Sequence, residues 1–121
     1  MAIKKILVVD DSSTDRLAMK ELLESHGFEV VTAESGEEGL LKTESEMPDM
    51  VLMDVVMPGM TGFQATRAIT KNPKTSTIPV IVCTGKSQAT DKAWALKMGA
   101  RECLAKPLNA TDLLAEIKKL G

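Results

Sequence analysis

Five polar residues in this chain stand directly after short apolar runs. Asp10 and Asp11 follow the run at 6–9, Asp54 the run at 50–53, Thr84 the run at 80–83 and Lys106 the run at 103–105. In an open α/β sheet the binding crevice lies outside the carboxyl ends of the strands. If these runs are neighbouring strands, three carboxylates, one hydroxyl and one ammonium meet at one rim. Crowded carboxylates repel, and the physical remedies are protonation or a bound cation. All-oxygen donors with room for water suit Mg²⁺ or Mn²⁺, not zinc. One carboxylate can also attack a phosphoryl group, and a metal, a lysine and a hydroxyl can then share the charge of the aspartyl phosphate. Taken singly, Asp10 or Asp11 could merely cap the following helix, as Asp11 with Ser12 and Ser13 would. The whole set argues for a site.

The elements that must position these groups follow from the patterning. Besides the four runs above, residues 30–33 form a fifth of strand length, and most of the five are apolar on both parities, as parallel strands covered on both faces are. Amphipathic stretches of helix length separate them: one from a Ser12 or Ser13 cap to Gly27, with Leu22 and Leu23 inward, then 35–46, 62–71, 88–98 and 110–120. Gly27 suits the residue just past a helix end, and Asn109 suits a cap before Leu113, Leu114, Ile117 and Leu120, which recur at helical spacing. Five strand and helix alternations predict a doubly wound α/β sandwich with a parallel sheet.

The chain has 121 residues, 44% hydrophobic and 26% charged, which fits one globular domain over 1–121. Its last residue follows the final helical stretch, so no output domain is expected. A net charge of −2, with Phe28, Phe63 and Trp94 as the aromatics, disfavours nucleic acid as a partner, for want of both a basic face and stacking platforms. The apolar run at 6–9 is too short for a signal peptide or a membrane span, so no membrane insertion is expected. Cys83 and Cys103 sit in strand-like runs and read as small core residues of a protein in a reducing cytoplasm.

The order of the motifs resembles one family. Val8-Val9-Asp10-Asp11-Ser12, the stretch from Asp49 through Asp54 and Met57-Pro58 to Gly59, Pro79-Val80-Ile81, Thr84-Gly85, Gly99-Ala100 and Lys106-Pro107 are similar to bacterial two-component response-regulator receiver domains over the whole chain. The stretch from Met57 to Arg67, with Thr90-Asp91-Lys92 and Trp94, further resembles the single-domain PilH-type receivers of the chemosensory system that controls type IV pili and twitching motility. The resemblance implies a CheY-like, flavodoxin-like (βα)5 fold with strand order 2-1-3-4-5. It implies Asp54 as the acceptor of a phosphoryl group from a histidine kinase or phosphotransfer domain, and Asp11 and Asp54 as Mg²⁺ ligands. The Val56 carbonyl would be a third protein ligand, Asp10 would act mainly through water, and Thr84 and Lys106 would hold phosphoryl oxygens. It also implies a cis Lys106–Pro107 peptide. The expected protein is a monomer or weak dimer that is no enzyme beyond its own phosphorylation and dephosphorylation. Its downstream partner would be a protein, with pilus or motility machinery the candidate; a phosphate sink or shuttle in a relay is the alternative.

Several residues depart from the family or stand apart from it. Receivers place Tyr or Phe three residues before the lysine; here that residue is Cys103, which cannot gate a surface by rotating and is expected to pack as a small hydrophobe. The output surface is expected on the fourth helix, fifth strand and fifth helix, because Thr84 and Lys106 connect that face to the phosphoryl site, with Gly85, Lys86, Trp94, Cys103 and Pro107 on it. Trp94 falls off a stripe of Ala89, Ala93 and Leu96 and is expected partly exposed, packed on Met98 or anchoring a partner. The positions that flank the path of hydrolytic water in receivers are Val56 and Lys86, which predicts slow self-dephosphorylation. His26, at a helix end, reads as a partner of the helix dipole. Gly39, inside a helix, costs about 1 kcal/mol relative to Ala, which predicts a soft spot.

Other classes fit less well. A haloacid-dehalogenase-type hydrolase wants its nucleophile on the first strand with a second Asp two positions on, which Asp10-Asp11-Ser12-Ser13 does not supply. A flavodoxin-like electron carrier would need a hydroxyl-rich phosphate loop after the first strand, where Asp10 and Asp11 would repel the phosphate.

Overall fold

The computed structural model describes residues 2–85 and 89–120. Lys86, and position 88 at the start of the expected fourth helix, lie outside the described residues. Five strands, β1 (Lys5–Val9), β2 (Glu29–Ala33), β3 (Met50–Asp54), β4 (Val80–Thr84) and β5 (Glu102–Ala105), alternate with α1 (Ser13–Ser25), α2 (Gly36–Glu46), α3 (Gly62–Lys71), α4 (Ala89–Lys97) and α5 (Ala110–Leu120). The strands are parallel in the order β2-β1-β3-β4-β5, as expected. No described helix is long and apolar enough to cross a membrane.

Strand alternation sorts the core into two layers. Leu7, Val9, Val51, Met53, Val80 and Val82 face Ala65, Ile69 and Ala95, on the side of α3 and α4. Ile6, Val8, Met50, Leu52, Ile81 and Cys83 face Leu23 of α1 and Leu113 and Ile117 of α5. Successive strand residues point to opposite faces, so the apolar runs lack alternation because each face is covered by helices. β2 and β5, at the edges, are only partly buried.

Helix boundaries follow local chemistry. Ser12 caps α1 by accepting from the Asp15 N–H, Thr61 and Gln64 form a capping box on α3, and Asn109 Oδ1 accepts from the Thr111 and Asp112 N–H groups. Gly27 ends the α1 turn at φ +89, and His26 Nδ1 lies 2.9 Å from the Leu22 carbonyl at that helix end.

Two expectations change. Gly39 is a close-packing position, not a bare soft spot: a Cβ there would lie 2.9 Å from Val9 Cγ2, so the missing side chain lets α2 sit against β1. On α4, Ala93 and Leu96 are exposed, and among the described residues the buried one is Ala95. Ala93, Trp94, Ala95 and Leu96 are consecutive and point all round the helix, so periodicity alone could not orient it. Polar ties do: Lys92 pairs with Glu102 at 3.3 Å and Asp91 accepts from Thr84, so Asp91 and Ala95 face inward.

Candidate functional site

Register places the site. Val9 pairs with Met53 across β1 and β3, so Asp10 emerges beside Asp54, the last residue of β3. Asp54 pairs with Cys83 and Thr84 with Ala105, which sets Lys106 one residue beyond β5 at the same rim. The backbone locks this end: Asp10 N–H donates to the Ala33 carbonyl at 3.1 Å, Val55 N–H to Cys83 at 3.1 Å, and Lys106 N–H to Thr84 at 2.7 Å.

The side chains separate by face. Asp10 and Asp54 continue the parity of Val8 and Leu52, and Lys106 that of Leu104, all on the α1 and α5 side. Lys106 Nζ lies 2.8 Å from Asp10 Oδ2, 2.8 Å from Asp54 Oδ1 and 3.4 Å from Asp15 Oδ2. Carboxylate oxygens of Asp10, Asp11 and Asp54 lie within 4.8 Å of one another. Asp10 and Asp54 are buried and Asp11 is exposed, so the cluster opens to solvent on the Asp11 side.

Electrostatics follow from this crowding. Burial pushes the Asp54 carboxyl above its usual range; Lys106 pulls it back, and Asp10 and Asp11 add to the rise. Burial alone would lower the Lys106 ammonium, but hydrogen bonds with Asp10 and Asp54 outweigh it and hold the group well above its usual value. One ammonium faces several carboxylates, an excess of negative charge that a divalent cation would offset, and three oxygen donors within reach of one another fit Mg²⁺ or Mn²⁺. The residues present therefore fit the expected metal. Val56 follows the cluster with its side chain 76% exposed.

Thr84 reaches the rim but belongs to the other face. It shares the parity of Val82, on the α3 and α4 side, and its hydroxyl donates to Asp91 Oδ2 at 3.3 Å. Cys103 is on that side as well, half-buried against the same core layer. Cys83 lies on the Asp54 side, fully buried, with its thiol pushed up to about 12 by burial. Both thiols are free. Gly85 and Pro107 are exposed, and the Lys106–Pro107 peptide is cis. Trp94 is 47% exposed, with Lys97 Nζ 5.3 Å from its ring centroid.

Arg16 and Asp15 were not singled out from sequence, and Asp91 was quoted only within a motif, with no role at the site. Arg16 Nη1 donates to the Asp10 carbonyl at 2.7 Å and Nη2 to Glu34 Oε1 at 3.2 Å, bracing the acidic corner against the loop after β2. Asp15 joins the Lys106 network, and Asp91 holds Thr84. A charged residue in the first turn of a helix whose N-terminus faces the site was the available signal. Beside the cluster, a cavity of about 460 Å³ opens between Met19 and Leu22 of α1 and Pro107 and Leu108 after β5.

The pattern of one known family, the response regulator receiver domain, matches residues 6–118. The chain is 50% identical over 113 residues to the protein PilH of Pseudomonas aeruginosa, an alignment covering 93% of each. Among solved structures it is similar to the chemotaxis protein CheY4 of Vibrio cholerae, with a TM-score of 0.91 and 32% identity over 99% of this chain and 100% of that one. It is also similar to a chain of the CheX-CheY-BeF3-Mg complex of Borrelia burgdorferi, with a TM-score of 0.89 and 26% identity over 97% of this chain and 88% of that one.

Proposed function

Because the chain belongs to the response regulator receiver domain family, we propose that it is a phosphorylation-controlled binding module of the cytoplasm, whose phosphoryl acceptor is Asp54. The observation that carries this reading is the ion pair of Lys106 with Asp54 at 2.8 Å inside a three-carboxylate cluster. An Asp54 oxygen attacks the phosphorus of a phosphohistidine on a histidine kinase or phosphotransfer domain; the new O–P bond forms as the P–N bond breaks and the imidazole departs. Lys106 is placed to hold a phosphoryl oxygen and spread its charge. Asp11, Asp54 and the Val56 carbonyl would hold Mg²⁺ or Mn²⁺ directly, with Asp10 acting mainly through water. When bound, the ion would supply positive charge to offset that of the phosphoryl group. The BeF3 and Mg in the Borrelia complex agree with such a site.

Thr84 reports occupancy by turning its hydroxyl toward the phosphoryl group, and the change passes to the surface of α4, β5 and α5. Gly85, Trp94, Cys103 and Pro107 belong to that surface; Lys86, the other residue assigned to it, lies outside the described residues. Similarity to PilH and the shared motifs support a downstream protein partner in type IV pilus twitching motility or taxis.

Mass spectrometry after incubation with acetyl phosphate and Mg²⁺ tests the reading. One adduct of about 80 Da is expected, lost in Asp54→Asn. A full-strength adduct on that variant, or none on the wild type, would overturn it.

A further inference from the structure

We propose that Asp91 is a positioning residue that latches Thr84 in the resting state, so that phosphoryl binding competes directly with the attachment of α4. The inference rests on the reading of Asp54 as phosphoryl acceptor and adds the element that opposes it. Thr84 ends β4 on the α3 and α4 face of the sheet, whereas Asp54 and Lys106 stand on the other. The Thr84 hydroxyl has one proton to give. Among the described residues its acceptor is Asp91 Oδ2, in the first turn of α4, at 3.3 Å. A phosphoryl oxygen on Asp54 would claim the same proton, and Asp91 would lose its donor.

The neighbouring packing makes this bond consequential. Among the described residues of α4, Ala95 alone is buried, so apolar contact holds the helix weakly. A second polar tie among the described residues is the Lys92–Glu102 pair, and the Glu102 carboxylate also accepts from the Cys103 N–H at 2.9 Å. Cys103 stands where receivers carry an aromatic gate, and a thiol cannot report by swinging. The Thr84–Asp91 bond links β4 to α4 without it.

The test is the affinity of beryllium fluoride with Mg²⁺, measured by calorimetry on the full chain. Asp91→Ala removes the competing acceptor and should bind the mimic about three- to tenfold more tightly, the worth of one net hydrogen bond. Asp91→Asn keeps an acceptor oxygen while removing the charge and should stay near wild type. In a Thr84→Val background Asp91→Ala should have no effect, since the latch has already lost its donor. An equal gain in Asp91→Asn and Asp91→Ala would assign the effect to charge and overturn the latch. So would a gain that persists in Thr84→Val, or unchanged or weaker binding by Asp91→Ala. Failure of the wild type to bind the mimic at all would overturn the phosphoryl-acceptor reading, and the latch with it.

Discussion

Lys106 Nζ stands 2.8 Å from Asp54 Oδ1, reaching past β4 from the loop after β5 to the end of β3. In the described structure this ammonium neutralises part of the acidic cluster and so stands in for some of the charge a cation would bring.

Lys106→Ala should therefore separate two properties. Mg²⁺ affinity should rise by about fivefold, since roughly 1 kcal/mol of like-charge repulsion disappears at a partly solvated site. Phosphorylation by acetyl phosphate should fall by about 100-fold, because a donor to the phosphoryl oxygens is lost. Calorimetry and time-resolved mass spectrometry read the two. Unchanged values of both would remove Lys106 from the site.

The glycine contacts predict graded instability. A Cβ at Gly39 would sit 2.9 Å from Val9 Cγ2, which can shift, so Gly39→Ala should cost about 1–2 kcal/mol after its gain in helix propensity. At Gly62 the Cβ would sit 1.9 Å from the Asp54 carbonyl oxygen, which is backbone. Gly62→Ala should cost more than about 3 kcal/mol and disturb metal binding as well. Urea midpoints rank the two, and equal midpoints would contradict the contact geometry.

Asp49 predicts a pH dependence. Its carboxylate accepts from the backbone N–H groups of Lys4 and Lys5, both at 2.9 Å, and the Lys5 and Lys4 bonds hold its carboxyl below the usual range. The folded value is depressed, so the unfolded chain takes up the proton first as pH falls. The stabilisation is complete above the ordinary carboxylate range, near about 4, and is lost as pH drops through the folded value. Asp49→Asn should lower the urea midpoint at pH 7, and its deficit should shrink at pH 3. A deficit that grows toward pH 3 would contradict this.

Phosphoryl lifetime depends on whether attacking water is oriented in line with the Asp54–phosphorus bond. The Val56 side chain is exposed and offers no hydrogen bond. Val56→Asn combined with Lys86→Glu should speed decay of the phosphorylated protein by up to about tenfold, an orientation effect of about 1 kcal/mol. Single-turnover decay measures it, and an unchanged or slower rate would refute this role for the pair.

The strands and helices were legible because their signals are local and agree. The doubly apolar runs demanded helices on both faces, and Ser12 and Asn109 mark helix starts in their own side chains. Asp10, Asp11, Asp54 and Lys106 could be grouped because strand ends in a parallel sheet share a rim. Thr84 was grouped with them on the same logic, yet its parity sends the hydroxyl to the other face, and only the register of β4 shows that. α4 resisted reading for a physical reason: its orientation comes from Asp91 and Lys92 reaching β4 and β5, and hydrophobic periodicity carries no trace of such ties. Gly39 looked like a defect because the Val9 side chain it accommodates is thirty positions away.

The sparse burial of α4 also bears on how related proteins stay apart in one cell. With Ala95 as its buried residue among those described, the exposed positions of the helix other than Lys92, which pairs with Glu102, can change with little cost to folding. Relatives that keep the same sheet and rim can therefore differ at those positions, and partner choice is free to diverge where the core sets no constraint.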